Sequence, residues 1–267
     1  MVNSQRATKV CGTTTNRYKY HEQIKQKLTK YTKNALLIFH QNICGLPNKQ
    51  DELLYSLREY SPQIICLTEH HLHNEELEGT VINGYTLGVK FCRKIHKSGC
   101  ACIFIKDNLH FTNIHMDKYS EEMDTEICAI KIHTPSSVII IMTVYRSPTG
   151  DITHFLDTLE IAIDQLYNNT INIILCEDFN INYLNDNKKK QKLNAILTSY
   201  SLYSIIDFPT RTNNLTSTAI DNVFINIFKY ENYEIYPLIN GLSDHDAQIL
   251  RLTEMNYTLT GKLMNIH

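Results

Sequence analysis

The stretch that decides the fold is "INIILCEDFN", residues 171–180, in which an apolar run ends on charge. Its isoleucines, leucine and cysteine are typical of the interior of a buried strand. Glu177 and Asp178 follow side by side, and Phe179 and Asn180 come next. Two adjacent carboxylates at the end of a buried strand are costly unless a cation meets them. The stretch therefore predicts a strand whose end serves a cation.

On both sides of this strand, other strand-like runs alternate with helical patterns. Asp151 is a predicted N-cap for a helix over 151–169. The runs 127–133 and 138–145 flank the turn "TPSS" and predict a hairpin. Further helices are predicted at 47–62 and near 188–200, and further strands at 35–42, 63–69, 100–107, 219–226 and 247–252. No repeat or flexible linker interrupts 35–252, so we expect one α/β domain there.

Polar residues stand where these strands end. They are Asn42, Glu69, Tyr145, Asp178 with Asn180, Asp221, and the "SDH" of 243–245. Any one of them alone is most simply a turn former, a helix cap or a half-buried aromatic residue. Six such ends together predict one site in a cleft. Carboxylate and amide oxygens are ligands that suit Mg²⁺ or Mn²⁺ better than zinc.

The charge of the chain is unevenly distributed. The net charge is −2, but residues 1–34 hold eight Lys/Arg and one acid, so this segment carries +7 and the remainder −9. The segment lacks apolar periodicity, which predicts a basic, disordered arm that could lie along phosphates. A solvated tail without a role is the alternative. Residues 253–267 are predicted to form a C-terminal tail.

The cellular setting is predicted from what the sequence lacks. The longest apolar run, 138–142, is too short to span a bilayer, and the N-terminus has no apolar signal segment. The eight cysteines form no CxxC pair, as expected for reduced thiols. These features predict an intracellular protein without a membrane partner.

Six motifs resemble those of a known family, and they occur in the family's order. They are "HQNICGL", "ICLTEHHL", "VYRSP", "ILCEDFNIN", "STAIDNVF" and "GLSDHDAQIL". Over 35–252 the chain resembles the endonuclease/exonuclease/phosphatase superfamily. It is most similar to the apurinic-like endonuclease domain of non-LTR (LINE-type) retrotransposons. The resemblance implies a four-layer α/β sandwich, with two mixed β-sheets packed face to face, helices on the outside and the site at one end.

The resemblance also implies roles for individual residues. Glu69 resembles the principal Mg²⁺ ligand, with Asn42 beside it and Asp244 of the last motif completing the metal set. Asp178 matches the acid that orients or deprotonates the attacking water. The other matched residues are Asn180 and Tyr145, which hold the phosphate; Asp221, which orients His245; and Arg146 and Arg211, which contact DNA.

Two positions depart from the family pattern. Glu177 stands where the family commonly has glycine, and Cys44 stands where many relatives have an acid. Because neighbouring residues of a strand point to opposite faces, we expect Glu177 to face away from the metal. Unless a donor meets it, its burial costs about 1 kcal/mol. The variant Glu177→Gly is therefore expected to be at least as active and as stable as the parent.

These observations predict a Mg²⁺-dependent DNA endonuclease. It would nick one strand and leave a 3′-hydroxyl that primes reverse transcription of a retrotransposon. We expect a monomer acting in the nucleus, with a reverse transcriptase domain or element RNA outside this chain as a partner. Two alternatives stay open. One is another hydrolase of this fold, such as a phosphoinositide phosphatase, a sphingomyelinase or a deadenylase; the other is a decayed remnant that binds DNA or a partner without cutting.

Overall fold

The computed structural model of the protein describes residues 35–134, 137–168, 170–213, 216–230 and 232–253. The predicted basic arm (1–34) lies outside these residues, as does the predicted C-terminal tail after Thr253. Both remain predictions.

The described residues form fourteen strands and four α-helices. The strands are β1 (Leu36–Asn42), β2 (Ile64–Thr68), β3 (Tyr85–Phe91), β4 (Ala101–Lys106), β5 (Thr112–Ile114), β6 (Thr125–His133), β7 (Val138–Arg146), β8 (Ile171–Asp178), β9 (Tyr203–Ser204), β10 (Arg211–Thr212), β11 (Ser217–Thr218), β12 (Asp221–Ile225), β13 (Tyr233–Leu238) and β14 (Ala247–Leu252). The helices are α1 (Gln50–Leu57), α2 (Asn74–Glu78), α3 (Ile152–Leu166) and α4 (Lys188–Ser199).

Twelve of the strands build two mixed sheets. The first has the order β13-β14-β1-β2-β4-β3, and only its β1–β2 pair is parallel. The second has the order β5-β6-β7-β8-β12-β9, and only its β7–β8 pair is parallel. Strands β10 and β11 form a separate ribbon. The predicted hairpin of 127–133 and 138–145 is confirmed as the antiparallel β6–β7 pair.

The two sheets pack face to face with helices outside them, which confirms the predicted sandwich. Strand β1 illustrates the layering, because Leu36 and Ile38 join the core between the sheets while Leu37 and Phe39 pack towards α1 and α2. On the far side, α3 and α4 cover the second sheet. Strands buried on both faces need continuous apolar runs, which is why "LLIF" and "IIIM" are so apolar. None of the helices in the described ranges has the length and apolar character that a bilayer crossing requires.

Most predicted elements lie within a few residues of the observed ones, and α3 begins at the predicted cap. The Asp151 carboxylate accepts hydrogen bonds from the backbone N–H groups of Thr153 (2.7 Å) and His154 (2.9 Å). The sequence did not predict β3 and β13, which are the two edge strands of the first sheet. Edge strands are half-exposed and mix polar with apolar residues, and an edge also tolerates Pro237 within β13.

Candidate active site

Register places three of the predicted site residues in one row across the second sheet. Tyr145 of β7 lies opposite Asp178 of β8, and Asp178 lies opposite Asp221 of β12. Cross-strand partners point to the same face, so all three side chains leave the sheet on one side, at one end of the sandwich. All three are buried.

Asn42 connects this row to the first sheet. It ends β1, and its side-chain amide donates hydrogen bonds to Glu69 Oε1 (3.0 Å) and to Asp178 Oδ2 (2.7 Å). The side-chain oxygen Oδ1 of Asn42 accepts a hydrogen bond from the Cys44 N–H at 3.0 Å. One buried amide therefore holds a carboxylate from each sheet at a fixed separation.

Glu69 is held by its backbone as well as by its side chain. Its φ of +51° is uncommon outside glycine, and its N–H donates to the Cys100 carbonyl (2.8 Å). The side chain, 20% exposed, meets His71 Nε2 at 3.2 Å and accepts a hydrogen bond from Tyr145. Burial opposes ionisation, but the hydrogen bonds outweigh it and lower the pKa of Glu69 below its usual range. The residue is therefore a carboxylate at neutral pH.

Asp178 is the acid that β8 contributes to the site. It has no exposed surface, and its Oδ1 accepts a hydrogen bond from the Asn180 N–H (3.0 Å). Burial raises the pKa of Asp178 to about 7, and the nearby charge of Asp221 adds to this shift. A carboxylate with a pKa near neutrality can accept a proton from water at physiological pH.

Asp221 and His245 form a buried acid–imidazole pair. His245 Nδ1 lies 2.9 and 2.8 Å from the two Asp221 oxygens, so Nδ1 carries a proton. Burial disfavours the charged ring, but the charge and hydrogen bond of Asp221 outweigh it and raise the pKa of His245 to about 9. One ligand atom from each of Asp178, Asp221 and His245 lies within 4.8 Å of the other two. At neutral pH His245 is an imidazolium with Nε2–H available to donate.

The loop after β8 carries Asn180, and Arg146 holds that loop in place. Asn180 has a φ of +53°, and its amide donates to the Arg146 carbonyl (2.9 Å). The Arg146 guanidinium is buried and donates to the carbonyls of Phe179 (2.7 Å) and Gly150 (3.2 Å). This buried side chain therefore supports the loop from within the protein, and the predicted DNA contact by Arg146 stays a prediction.

Asp244 and Arg211 lie at the rim. The Arg211 Nε and Nη2 atoms are both 2.7 Å from Asp244 Oδ2, and each side chain is nearly half-exposed. Asp244 Oδ1 is also 3.9 Å from His245 Nε2. Of the predicted metal set, Glu69 and Asn42 are in direct contact, whereas Asp244 is paired with Arg211. The exposed Arg211 stays a predicted DNA contact.

The donor set at this end fits a hard divalent cation. Carboxylate oxygens of Glu69 and Asp178 flank the Asn42 amide, and the pKa of Asp178 is raised by burial first and then by the nearby charge of Asp221. Oxygen ligands of this kind suit Mg²⁺ or Mn²⁺. These acidic residues could therefore bind a metal ion.

Two residues of the site, His71 and Thr210, were not predicted from the sequence. The ring of His71 contacts the Glu69 carboxylate. Gly45, with a φ of +90°, lies so close to this ring that a β-carbon at position 45 would be 3.3 Å from His71 Nδ1. Thr210 donates to Asp221 Oδ2 at 2.7 Å and fixes its orientation. The histidine doublet of "EHHL" was a usable signal for His71, but nothing near Thr210 in sequence marks it.

Glu177 occupies the opposite face of β8. It lies across from Asn222, has no exposed surface, and neither carboxyl oxygen has a hydrogen-bond partner among the described residues at ordinary geometry. The Asn222 Nδ2 atom also lacks a partner there. Burial raises the pKa of Glu177 well above its usual range, with the charge of Asp178 adding to the effect. Burial of Glu177 therefore favours its protonated form over the carboxylate.

The fold that carries this site is similar to several solved structures. The endonuclease domain of TRAS1, a telomere-specific non-LTR retrotransposon, superposes with a TM-score of 0.67 at 15% identity, over 82% of this chain and 98% of that one. The AP endonuclease LMAP of Leishmania major gives 0.65 at 13% identity, over 83% and 88%. A mannosyl-6-phosphatase of Bacteroides thetaiotaomicron gives 0.57 at 13% identity, over 80% and 98%.

The chain has the endonuclease/exonuclease/phosphatase fold. No protein-family model matches the sequence, and no curated protein matches it either. Nucleases and a sugar phosphatase share the endonuclease/exonuclease/phosphatase fold, so the fold does not select a substrate by itself.

Proposed function

We propose that this protein is a metal-dependent phosphodiester hydrolase, and specifically a Mg²⁺-dependent DNA endonuclease that can also use Mn²⁺. The observation that carries the proposal is the pair of carboxylates, Glu69 and Asp178, bridged by Asn42 beside the buried Asp221–His245 pair. A phosphodiester resists attack because its anionic oxygens repel nucleophiles, so a hydrolase needs positive charge and an activated water at the same place.

The residues divide this work between them. Asp178 holds the attacking water and accepts its proton, as its pKa of about 7 allows. The charged His245 donates from Nε2 to a phosphoryl oxygen. Tyr145 stays neutral because burial raises its pKa, so its hydroxyl remains a donor. Asn180 supplies an amide to the phosphate. A bound divalent ion, held by Glu69 with Asn42 and Asp244 nearby, would neutralise charge that develops on the phosphate.

DNA is the substrate that best fits the similar structures and the residues at the rim of the site. The two structures with TM-scores of 0.67 and 0.65 are nucleases, whereas the sugar phosphatase scores 0.57. Arg211 at the rim offers a guanidinium to a phosphate. By similarity to the retrotransposon domain, the enzyme would act in the nucleus as a monomer. It would leave a 3′-hydroxyl that primes reverse transcription, and its partner would be a reverse transcriptase domain or the RNA of the element.

The alternatives rest on particular observations. A phosphomonoesterase or another hydrolase is supported by the shared fold of the mannosyl-6-phosphatase. A non-cutting remnant is supported by Glu177, whose carboxyl oxygens have no hydrogen-bond partner at ordinary geometry among the described residues. Against the remnant, the hydrogen bonds that join Asn42, Glu69 and Asp178 are intact.

A plasmid-nicking assay separates the three functions. Supercoiled plasmid and an inositol phosphate are each incubated with the protein in Mg²⁺ and in EDTA. If the protein is an endonuclease, the plasmid should be relaxed in Mg²⁺ but not in EDTA, and no phosphate should be released from the inositol phosphate. Phosphate release without nicking would favour the phosphatase. Plasmid retention on a filter without nicking would favour the remnant.

A further inference from the structure

A polar pair lies in the apolar core between the two sheets. His40 of β1 and Gln248 of β14 are opposite each other in the antiparallel pairing of these strands, and neither is more than 1% exposed. Their neighbours on the same face, Ile38 and Leu250, belong to the core between the sheets, and Asn42 of the candidate site follows on that face of β1. Polar side chains in such a place cost free energy unless they are hydrogen-bonded, so their partners are informative.

The hydrogen bonds of this pair have a defined direction. His40 Nδ1 lies 2.7 Å from Gln248 Oε1, and Gln248 Nε2 donates to the Asp246 carbonyl at 2.5 Å. Because the amide nitrogen of Gln248 is used as a donor to Asp246, its oxygen is the acceptor, and His40 Nδ1 carries a proton. His40 Nε2 has no hydrogen-bond partner among the described residues. The polar contact of the His40 ring is therefore the one that holds Gln248 against Asp246.

Hydrogen bonds lead on from Asp246 to the buried acid of the site. The Asp246 N–H donates to the Thr210 carbonyl at 2.6 Å, next to the bridge that pairs Arg211 with His245. The Thr210 hydroxyl accepts the Asp221 N–H at 3.1 Å and donates to Asp221 Oδ2 at 2.7 Å. A chain of hydrogen bonds that starts in the first sheet therefore ends on a carboxylate that the second sheet carries.

The backbone of His245 is held by other bonds. Its N–H donates to the Ser243 hydroxyl at 3.0 Å, and its carbonyl accepts the Gln41 side-chain amide at 2.9 Å. Neither bond involves His40 or Gln248. The chain from His40 therefore acts on the carboxylate partner of the imidazole and leaves the imidazole's own backbone in place.

We propose that His40 and Gln248 are positioning residues, which orient Asp221 towards His245 through Asp246 and Thr210. We call the series from His40 to Asp221 the inter-sheet relay. The Thr210 hydroxyl receives the Asp221 N–H, so its own proton is directed at Oδ2 and the carboxylate has one preferred orientation. Buried hydrogen bonds in series strengthen one another. The effect of the relay on rate rests on the proposed function, in which His245 donates to the phosphate, but its geometry can be measured without a substrate.

The test uses variants that break the relay and variants that spare it. Gln248→Met removes both amide atoms and keeps the length of the side chain. His40→Leu removes the Nδ1 donor, and His40→Asn restores a donor because the asparagine amide nitrogen stands where Nδ1 stands. Thr143→Val is the matched control, since Thr143 is buried on the same face of β7 as Tyr145 and its hydroxyl has no partner among the described residues.

Proton NMR in EDTA measures the geometry. The Nδ1–H proton of His245 should give a low-field signal in the parent, and Asp221→Asn assigns this signal by removing it. The signal should persist in His40→Asn and Thr143→Val, and it should broaden or move upfield in Gln248→Met and His40→Leu. Thermal midpoints verify folding, and substitutions on two different strands keep the test decisive if one variant does not fold.

Initial nicking rates in Mg²⁺ measure the consequence. Gln248→Met and His40→Leu should lower kcat about tenfold without changing KM, because His245 acts in the transition state, whereas His40→Asn and Thr143→Val should stay within about twofold of the parent. Folded Gln248→Met and His40→Leu proteins that keep the parental NMR signal would overturn the relay, whatever their rates. A parent with the low-field signal and no nicking would refute the endonuclease and leave the relay in place.

Discussion

Two acid–histidine clusters in this molecule use the same residue types in different surroundings. Asp178, Asp221 and His245 are all buried at the end of the sandwich, whereas Glu121 and His154 of the second cluster are largely exposed and Asp124 lies beneath them. In each cluster a histidine Nδ1 contacts an aspartate, at 2.8 Å in the first and 2.6 Å in the second. Pairing alone does not distinguish them.

The two clusters differ in burial and in the number of fixed partners around their side chains. Water screens the exposed cluster, so its charges can change protonation state without affecting a reaction nearby. In the buried cluster, low polarisability and neighbouring acids move the pKa of Asp178 to about 7 and that of His245 to about 9. A chemically useful cluster therefore needs buried strand ends from two sheets, because the residue types alone are not sufficient.

The largest expected effect separates the two clusters by activity. Asp178→Asn should lower plasmid nicking by about 10³-fold, because it removes the proton acceptor while keeping the shape of the side chain. Asp124→Asn, the matched change in the exposed cluster, should stay within about twofold of the parent. Initial nicking rates in Mg²⁺ measure both. Equal losses in the two variants would remove the distinction on which the site assignment depends.

The histidines should differ in the same direction but less strongly. His245→Ala should lower nicking by about 10²-fold, because a charged donor to the phosphate is lost. His154→Ala should leave the rate unchanged, and circular dichroism should show both variants folded. Near-parental nicking by His245→Ala would exclude this role for the imidazole, and an unfolded variant would make the residue structural.

The pKa of His245 can be tested without a substrate. NMR titration in EDTA should find His245 charged up to about pH 9, and Asp221→Asn should lower its pKa. Because the folded-state pKa is raised above 6.5, the pair stabilises the fold fully below about pH 6.5 and loses that contribution as the pH rises through 9. The difference in thermal midpoint between the parent and Asp221→Asn should therefore shrink over this range. A difference that grows with pH would reverse the sign of the linkage.

The smallest effect concerns Glu177, on the other face of the strand that carries Asp178. Its raised folded-state pKa means that the fold loses stability as the pH rises above about 4.5, where the unfolded chain ionises but the buried group does not. Glu177→Gln keeps the volume and removes the titration, so it should raise the thermal midpoint by a few degrees at pH 8 and hardly at pH 4.5.

Glu177→Gly serves as the second variant, and it should nick DNA at least as fast as the parent. A lower midpoint for Glu177→Gln at pH 8 would show that the carboxylate has a partner.

Much of the fold and of the site could be predicted from the sequence, because local residue patterns indicate both. Apolar runs that end on acids predicted the strands and their shared end, and the order of six motifs predicted the sandwich. The edge strands β3 and β13 were missed because half-exposed strands lack an apolar run. The support that Arg146 gives to the loop after β8 was not predicted, although alternation along β7 puts this residue on the face opposite Tyr145. The contact between Thr210 and Asp221 arises only from tertiary packing, so no local pattern predicts it.

The chemistry of the nicked end tests the central claim most directly. Supercoiled plasmid is treated with the parent protein in Mg²⁺, repurified and given to a DNA polymerase with labelled nucleotides, with and without a 3′-phosphatase. A hydrolase that activates water beside Glu69 and Asp178 to prime reverse transcription should leave a 3′-hydroxyl, so extension should start without the phosphatase. Nicks that extend only after phosphatase treatment, or nicking that persists in EDTA, would contradict the account.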